Sequence, residues 1–260
     1  EDLCLRMDQS LAALFQTVDQ KVGLDNCLIV FTADRGVMAM PEFLKERGMP
    51  AGRIDPKVFK TLLDSSLKAR LGKEDWVAEF EPPNLYLNLD AIERQKYRQP
   101  DVETVASQMA QAVPGIGDIF TGVQFLLNQL PAGPHVQQAT KSYYLGRSGE
   151  LYILPKAGYI FVGETNGTAS GSPYNYDCHV PLLIMGGTVQ SGRYGQPVSP
   201  ADIAPTIAGV LGIDPPSLSE GRVISECLTT TGSARGFRTM AEPATETAIN
   251  TGSSSRHHKE

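Results

Sequence analysis

The sequence predicts an α/β protein with a mostly parallel sheet flanked by helices and an inserted, small α+β subdomain. Two apolar runs, residues 27–32 (CLIVFT) and 180–185 (VPLLIM), lack the alternation of a half-exposed strand. Such continuous runs are typical of strands that are buried on both faces of a parallel sheet. Helix-patterned segments accompany both runs, as in an α/β layer architecture.

The first predicted unit is a helix followed by a buried strand. Apolar residues recur at spacings of three and four from Leu3 to Val22, and Gly23 is placed to end this helix. The apolar run 27–32 follows, and Asp34 and Arg35 come directly after it. The pattern therefore predicts a carboxylate at the C-terminal end of a strand.

The second predicted unit lies late in the chain. It begins with the run 180–185, which Gly186 and Gly187 close. Ser199 and Pro200 then predict a helix N-cap and a proline at the first helical position. This order of strand and helix again favours an α/β arrangement.

The middle of the chain has a different pattern. Residues 56–72 and 102–113 have helical periodicity, residues 84–89 alternate as in a half-exposed strand, and residues 151–154 resemble another strand. This mixture predicts the α+β subdomain.

These patterns lead to a predicted domain division. Residues 1–50 and 151–228 are assigned to the main α/β domain, and residues 51–150 are assigned to the inserted subdomain. Residues 229–260 are rich in Thr, Ser and Gly and have isolated apolar side chains. We therefore predict that they form a disordered tail.

Composition argues against several classes of protein. The 260 residues carry a net charge of −6 and their basic residues are scattered, so no nucleic-acid partner is predicted. No apolar run approaches the roughly 20 residues that span a membrane. The four cysteines contain no C-x-x-C pair, which disfavours a thiolate zinc knuckle and leaves disulfide pairing open. No signal peptide is visible in a chain that begins at Glu1.

Two candidate sites remain after a P-loop, a complete dinucleotide fingerprint and a G-x-S-x-G elbow are excluded by inspection. Asp34 lies where open α/β sheets bind ligands, and it suits either a metal or substrate contact or a turn cap. His179 ends the Gly-, Ser- and Tyr-rich loop 167–181 (GTASGSPYNYDCHVP). It suits either a metal ligand assisted by Asp177 or a cap before the following strand.

Several segments resemble the type I phosphodiesterase/nucleotide pyrophosphatase group of the alkaline phosphatase superfamily. They are residues 2–12 (DLCLRMDQSLA), 28–37 (LIVFTADRGV), 167–181 and 198–207 (VSPADIAPTI), in the family's order. The resemblance extends from about Asp2 to Leu228. It implies an alkaline-phosphatase-like fold of which this chain is the C-terminal portion. It also implies a periplasmic or secreted location.

The resemblance further implies a metal-dependent hydrolase of small phosphate esters. Family members use a Thr nucleophile and two zinc ions that polarise the nucleophile and stabilise the leaving oxygen. By position, the resemblance makes Asp34 and His179 metal-ligand candidates. Arg35, next to Asp34, becomes a candidate for substrate binding because its guanidinium can turn toward a phosphate. No catalytic residue is assigned within this chain.

Two positions depart from the family pattern. Arg35 and Ser170 stand where the family has histidines. An Arg charge about 4 Å from a dication would repel it by roughly 8 kcal/mol at an effective dielectric constant of about 20, before screening. In the family, the nucleophile and the remaining ligands precede the position of Glu1. We therefore expect a truncated or degenerate member with weak or no activity. The alternative is a non-catalytic module that binds an anion or a partner.

Overall fold

The computed structural model describes residues 2–165 and 167–229. The chain divides into two compact units. One unit, which we call the split unit, combines the residues up to Phe31 with those from Leu183 onward. The other, the continuous unit, comprises Thr32–Leu182.

The described strands and helices alternate irregularly along the chain. The strands are β1 (Leu28–Thr32), β2 (Gly52–Arg53), β3 (Val77–Glu81), β4 (Asn84–Leu87), β5 (Ile116–Thr121), β6 (Leu151–Pro155), β7 (Tyr159–Ile160) and β8 (Leu182–Gly186). The helices are α1 (Asp2–Lys21), α2 (Pro41–Glu46), α3 (Pro56–Leu71), α4 (Leu89–Arg94), α5 (Gln99–Gln111), α6 (Gly122–Leu126), α7 (Val136–Ser142), α8 (Asn175–Cys178) and α9 (Ile203–Leu211). Short 3-10 helices cover Leu24–Asn26, Pro200–Asp202 and Ser225–Cys227.

The split unit begins with the predicted helix, α1. Gly23 ends it with φ of 83°, a left-handed conformation that glycine adopts at little cost, and its N–H donates to the carbonyls of Val18 and Asp19. None of the residues of α1 is buried, and Leu3 is 77% exposed. The apolar periodicity therefore predicts the helix correctly, although this stripe is not part of a core in the described chain.

A two-stranded sheet of β1 and β8 also belongs mainly to the split unit. Its strands are half-exposed, and Leu183 and Met185 are 62% and 45% exposed. This differs from the predicted burial on both faces. The strands are present where the sequence predicts them, but the described residues do not cover both faces.

The predicted helix N-cap at Ser199 is present. Its Oγ accepts a hydrogen bond from Ala201 N at 3.3 Å, while its own N–H donates to Asp202 Oδ2 at 2.8 Å. The other carboxylate oxygen of Asp202 accepts from Arg222 N at 2.8 Å. Asp202 is buried, and it therefore ties the start of this helical segment to the later chain.

The continuous unit has a four-stranded sheet in the order β3-β4-β6-β5, and every neighbouring pair is antiparallel. Helices α3 and α5 bury their apolar faces in the same core, which includes Phe59, Leu63, Leu67, Trp76, Leu85, Val102, Leu151 and Ile153. Asp55 caps α3, because its carboxylate accepts from the N–H groups of Lys57 and Val58. The mixed α and β pattern of the middle region is thus realised as one packed unit.

The short strands β2 and β7 form a separate parallel pair. The predicted domain boundaries, 50/51 and 150/151, remain predictions. In the structure the compact units divide at 31/32 and 182/183, and β6 shares its sheet with β4 and β5. The predicted tail, residues 229–260, lies outside the described residues except for Thr229.

Two further properties of the described chain bear on its class. None of the helices within residues 2–165 and 167–229 has the length and apolar character needed to cross a membrane. The four cysteines are free thiols, and among them only Cys227 is buried.

Candidate functional site

Asp34 and Arg35 form an exposed ion pair just after β1. Arg35 Nε lies 3.2 Å from Asp34 Oδ2, and the two side chains are 57% and 80% exposed, respectively. An ion pair with this exposure contributes only about 0–1 kcal/mol to stability because water screens it. Both charged groups therefore remain accessible to a ligand.

Gly36 fixes the segment that carries this pair. Its N–H donates to the carbonyl oxygen of Asp177 at 2.7 Å. A Cβ at position 36 would lie 2.0 Å from the carbonyl oxygen of Tyr176, so a larger residue requires a backbone shift. This contact brings the segment of Asp34 and Arg35 against the loop that leads to His179.

Asp177 closes that loop on itself. Its buried carboxylate accepts hydrogen bonds through Oδ2 from Ser172 N at 2.8 Å and Ser172 Oγ at 2.6 Å. Hydrogen bonds to a charged acceptor are stronger than neutral ones. The sequence was compatible with Asp177 assisting His179, whereas in the structure the hydrogen bonds to the Asp177 carboxylate come from Ser172.

His179 directly follows α8. Its backbone N–H donates to Asn175 O at 2.8 Å and so caps the C-terminal end of this one-turn helix. The residue is exposed. A role for its imidazole as a metal ligand stays a prediction, as does that of the Asp34 carboxylate.

A tyrosine of the loop ties it to a strand of the same continuous unit. Tyr174 donates its hydroxyl to Pro155 O at 2.9 Å, which ties the loop to the end of β6. Burial raises the pKa of the Tyr174 and Tyr176 phenols and of the Cys178 thiol. These groups therefore stay neutral over a wider pH range than they would in water.

A zinc site requires more ligands than these positions supply. Zinc takes four ligands in structural sites and three protein ligands plus water in catalytic sites. Across residues 2–165 and 167–229, no three or more His, Cys, Asp or Glu side chains are grouped to hold a metal ion. Asp34 instead has Arg35 as its partner. The described residues alone therefore do not fit the zinc pair that the resemblance implies.

A cavity of about 230 Å³ lies within the continuous unit. Ser170, Ser172 and Asp177 line it from the loop, and Ile153 and Phe161 are among its apolar lining residues. Sequence analysis missed this cavity and the role of Ser172 because both depend on tertiary contacts. The composition of the loop was the one signal that marked the region.

Comparison with known proteins identifies the family. Residues 1–180 match the family described as type I phosphodiesterase/nucleotide pyrophosphatase. Alkaline phosphatase PafA from Elizabethkingia meningoseptica is 29% identical over 228 residues, and alkaline phosphatase PhoV from Synechococcus elongatus is 31% identical over 238 residues. Each match covers 88% of this chain, which spans 41% and 40% of the respective relatives.

The fold agrees with this assignment. The crystal structure of wild-type alkaline phosphatase PafA matches with a TM-score of 0.80 and 28% sequence identity. The match covers 88% of this chain and 43% of that structure's chain. The predicted alkaline-phosphatase-like α/β fold and the predicted resemblance are therefore confirmed. The chain belongs to the type I phosphodiesterase/nucleotide pyrophosphatase family of the alkaline phosphatase superfamily.

Proposed function

We propose that this chain binds small phosphate esters, the substrate class of its family, with weak or no hydrolysis by itself, and that Arg35 binds the phosphoryl group. The observation that carries this proposal is the exposed Arg35–Asp34 pair, in which Nε lies 3.2 Å from Oδ2. The pair stands directly after β1, on the segment that Gly36 holds against the loop.

The chemistry of guanidinium supports this role. Arginine presents five N–H donors in a planar fork and binds phosphate oxygens in a bidentate manner. Its contact with Asp34 uses Nε, so the two terminal nitrogens can face a ligand. Asp34 then serves to orient Arg35.

We further propose that metal-dependent hydrolysis by this chain alone is weak or absent. Asp34 and His179 remain the candidate metal ligands, but within the described residues no three or more His, Cys, Asp or Glu side chains are grouped to hold a metal ion. The positive charge of Arg35 also opposes a dication next to Asp34. Activity of a longer protein, with ligands from elsewhere, is compatible with this proposal.

A non-catalytic module that binds an anion or a partner is the second candidate function. The observation that favours it is again the pairing of Asp34 with an arginine, because this pairing needs no metal. In this alternative Arg35 and the loop hold the anion without turnover. A periplasmic or secreted location belongs to both proposals through the family resemblance.

Phosphate binding tests the role of Arg35. Titration of the protein with inorganic phosphate, followed by NMR, should show saturable binding that Arg35→Ala weakens by roughly 10- to 150-fold, since a charge-assisted hydrogen bond contributes roughly 1.5–3 kcal/mol. Arg70→Ala is the matched control, because Arg70 is an exposed arginine at the end of α3. Equal binding by wild type and Arg35→Ala would contradict the proposal.

Turnover tests the expected weak or absent hydrolysis, and zinc binding distinguishes the two candidate functions. We expect hydrolysis of p-nitrophenyl phosphate and its diester to stay at background with added zinc. Activity that survives repurification would refute the inference of weak or absent hydrolysis, and the preferred ester would define the substrate class. The double variant Arg35→His/Ser170→His should gain zinc affinity by calorimetry if the site is a degenerate enzyme site. No gain would favour the binding module.

A further inference from the structure

The cavity in the continuous unit lies close to the segment that carries Arg35. A Cβ on Gly36 would lie 2.0 Å from the carbonyl oxygen of Tyr176. Because consecutive Cα atoms are about 3.8 Å apart, the Cα of Arg35 lies within about 8 Å of that oxygen. Tyr176 is one of the residues that line the cavity, so the segment of Arg35 runs beside the cavity.

Both ends of the loop that lines the cavity hold the segment after β1. Near the start of the loop, Thr168 Oγ1 donates to Met38 O at 2.7 Å. Near its end, the carbonyl oxygen of Asp177 accepts from the N–H of Gly36 at 2.7 Å. Loop residues between these two contacts line the cavity. The position of the segment relative to the cavity is therefore fixed from two sides.

Much of the accessible cavity wall is apolar. Phe161, Ala169, Pro82 and Pro83 line the cavity, and each of them is at least partly exposed. The ring of Phe161 packs against that of Phe80, with centroids 5.2 Å apart and an interplanar angle of 86°. This edge-to-face arrangement is one that aromatic pairs prefer, and it holds the ring in place. The wall therefore suits a hydrocarbon group.

The charged groups of the lining do not suit a phosphoryl group. None of the described lining residues is Lys or Arg. Asp177 is 4% exposed, its Oδ2 accepts two hydrogen bonds from Ser172, and its Oδ1 is buried. The negative charge of this carboxylate would repel an anion within the cavity. The cavity therefore suits the neutral part of a ligand, and the phosphoryl group stays outside it, on the side of Arg35.

The volume sets the size of the group that fits. An apolar cavity of about 150 Å³ accommodates benzene. The volume of about 230 Å³ here therefore admits one six-membered ring or a short branched chain. A sugar of similar size would leave hydroxyl groups against apolar walls without hydrogen-bond partners, which is unfavourable. The cavity thus favours a compact hydrocarbon group over a sugar or a nucleoside.

We propose that this cavity is a subsite for the apolar part of a phosphate ester whose phosphoryl group Arg35 binds. The favoured ligands are then phosphate esters of phenols and of short apolar alcohols, rather than sugar phosphates or nucleotides. This inference rests on the proposed function and adds the substrate class to it. The apolar group packs against Phe161, Ala169 and Pro82.

Two phosphonates that differ only in their apolar group test this proposal. Methylphosphonate and phenylphosphonate carry the same charged group and contain no ester bond that the protein could hydrolyse. Each is titrated as the dianion into the isotopically labelled protein and followed by NMR. We expect phenylphosphonate to bind at least tenfold more tightly, because tenfold corresponds to about 1.4 kcal/mol and full burial of a phenylalanine side chain contributes at least that much.

The contacts of the phenyl ring locate it in the wild-type protein. We expect nuclear Overhauser effects between its protons and those of the Ala169 methyl group and the Phe161 ring. Equal affinities of the two phosphonates, or ring contacts only with residues outside the cavity, would overturn the subsite and leave phosphoryl binding by Arg35 in place. Failure of both phosphonates to bind would overturn the proposed function, and the subsite with it.

Arg35→Ala tests the link between the subsite and the phosphoryl group. We expect this substitution to weaken the binding of both phosphonates by the same factor of at least tenfold, so that the preference for the phenyl compound remains. If phenylphosphonate binding were unchanged while methylphosphonate binding was lost, the cavity would not serve a ligand of Arg35, and the proposal would be overturned.

Ala169→Leu tests the cavity itself, because the larger side chain fills part of the space. We expect the preference for phenylphosphonate to fall by at least tenfold, while the affinity for methylphosphonate stays the same. Ala132→Leu, at an exposed alanine ahead of α7, is the matched control and should leave the preference unchanged. An unchanged preference in a folded Ala169→Leu variant would contradict the proposal. If that variant fails to fold, the ring contacts in the wild-type protein decide.

Discussion

Helices with similar apolar periodicity are buried in one unit of this protein and exposed in the other. In the continuous unit, α3 buries Leu67 completely, with 0% exposure. In the split unit, α1 has the same three- and four-residue spacing, yet Leu14 is 54% exposed and no residue of α1 is buried. Periodicity therefore predicts a helix and the face that is apolar, whereas burial depends on what packs against that face.

In the continuous unit, the apolar faces of the helices pack against a sheet. Leu67 belongs to a core with Trp76, Leu85 and Ile153, all of them 0% exposed. Four strands and two long helices contribute to this core, and each buried aliphatic side chain stabilises it by roughly 1.5–3 kcal/mol. The sheet of β1 and β8 has only two strands and keeps Leu183 62% exposed.

Truncation of a leucine in each unit gives the largest expected contrast. We expect Leu67→Ala to lower the free energy of unfolding of the continuous unit by about 2–5 kcal/mol, because it leaves a cavity in a packed core. Leu14→Ala is the matched control on α1, with an expected effect of about 0.5 kcal/mol or less. Urea unfolding followed by the fluorescence of Trp76, the one tryptophan of the chain, measures the continuous unit, and far-UV circular dichroism of the same samples also reports on α1. Equal losses of stability from Leu67→Ala and Leu14→Ala would contradict the difference in burial between α3 and α1.

An added methyl group at Gly36 should have the next largest effect. Gly36→Ala places Cβ against the carbonyl oxygen of Tyr176, and the resulting shift disturbs the hydrogen bond to Asp177. We expect the free energy of unfolding, measured by the same urea assay, to fall by about 1–3 kcal/mol. Gly133→Ala is the control, because its Cβ meets only the Val136 side chain at 3.6 Å, so a neutral or slightly stabilising effect of up to about 1 kcal/mol is expected. An unchanged free energy of unfolding in Gly36→Ala would contradict this prediction, because it would show that the loop moves away from Cβ without destabilising the unit.

The smallest expected contrast comes from one carboxylate–arginine pair in each unit. Hydrogen bonds from Arg53 lower the pKa of Glu42 to about 2, and those from Arg222 lower the pKa of Glu226 to about 2. Because both folded-state pKa values lie below the usual 4.5, each pair stabilises fully above about pH 4.5 and loses its contribution as the pH falls through about 2.

Substitution of each glutamate separates the two pairs. Glu42→Gln should reduce the fall in stability of the continuous unit between about pH 4.5 and pH 2, as followed by Trp76 fluorescence. Glu226→Gln, in the split unit, is the matched control and should leave this pH dependence unchanged. A similar change in both variants would argue against a local effect of the Glu42–Arg53 pair.

Much of the secondary structure could be predicted because it depends on local patterns. The predicted helix at 56–72 is observed as Pro56–Leu71, and the predicted alternating strand at 84–89 is observed as Asn84–Leu87. The short elements α7 and β7 were not predicted, since a few residues carry too little periodicity. Strand β6 is buried at every position, and its pattern therefore could not tell which sheet it joins.

In the candidate site, too, some features could be predicted from local sequence and others depend on contacts between distant segments. Asp34 follows a predicted strand and His179 ends a distinctive loop, so their positions could be found by inspection. The hydrogen bond from Gly36 to Asp177 joins residues 141 positions apart, and no local pattern reports such a contact. The interaction of Asp177 with Ser172 could not be distinguished from one with His179, because both lie within five residues of it.

By itself, the sequence determined the α/β fold class, the family, and most of the longer helices and strands. These features depend on side-chain order along the chain. The tertiary structure decided which apolar faces are buried, which partner Asp177 binds and where the cavity lies. These properties depend on distances between segments far apart in the chain, and they are set by packing and by the requirement that buried polar groups find partners.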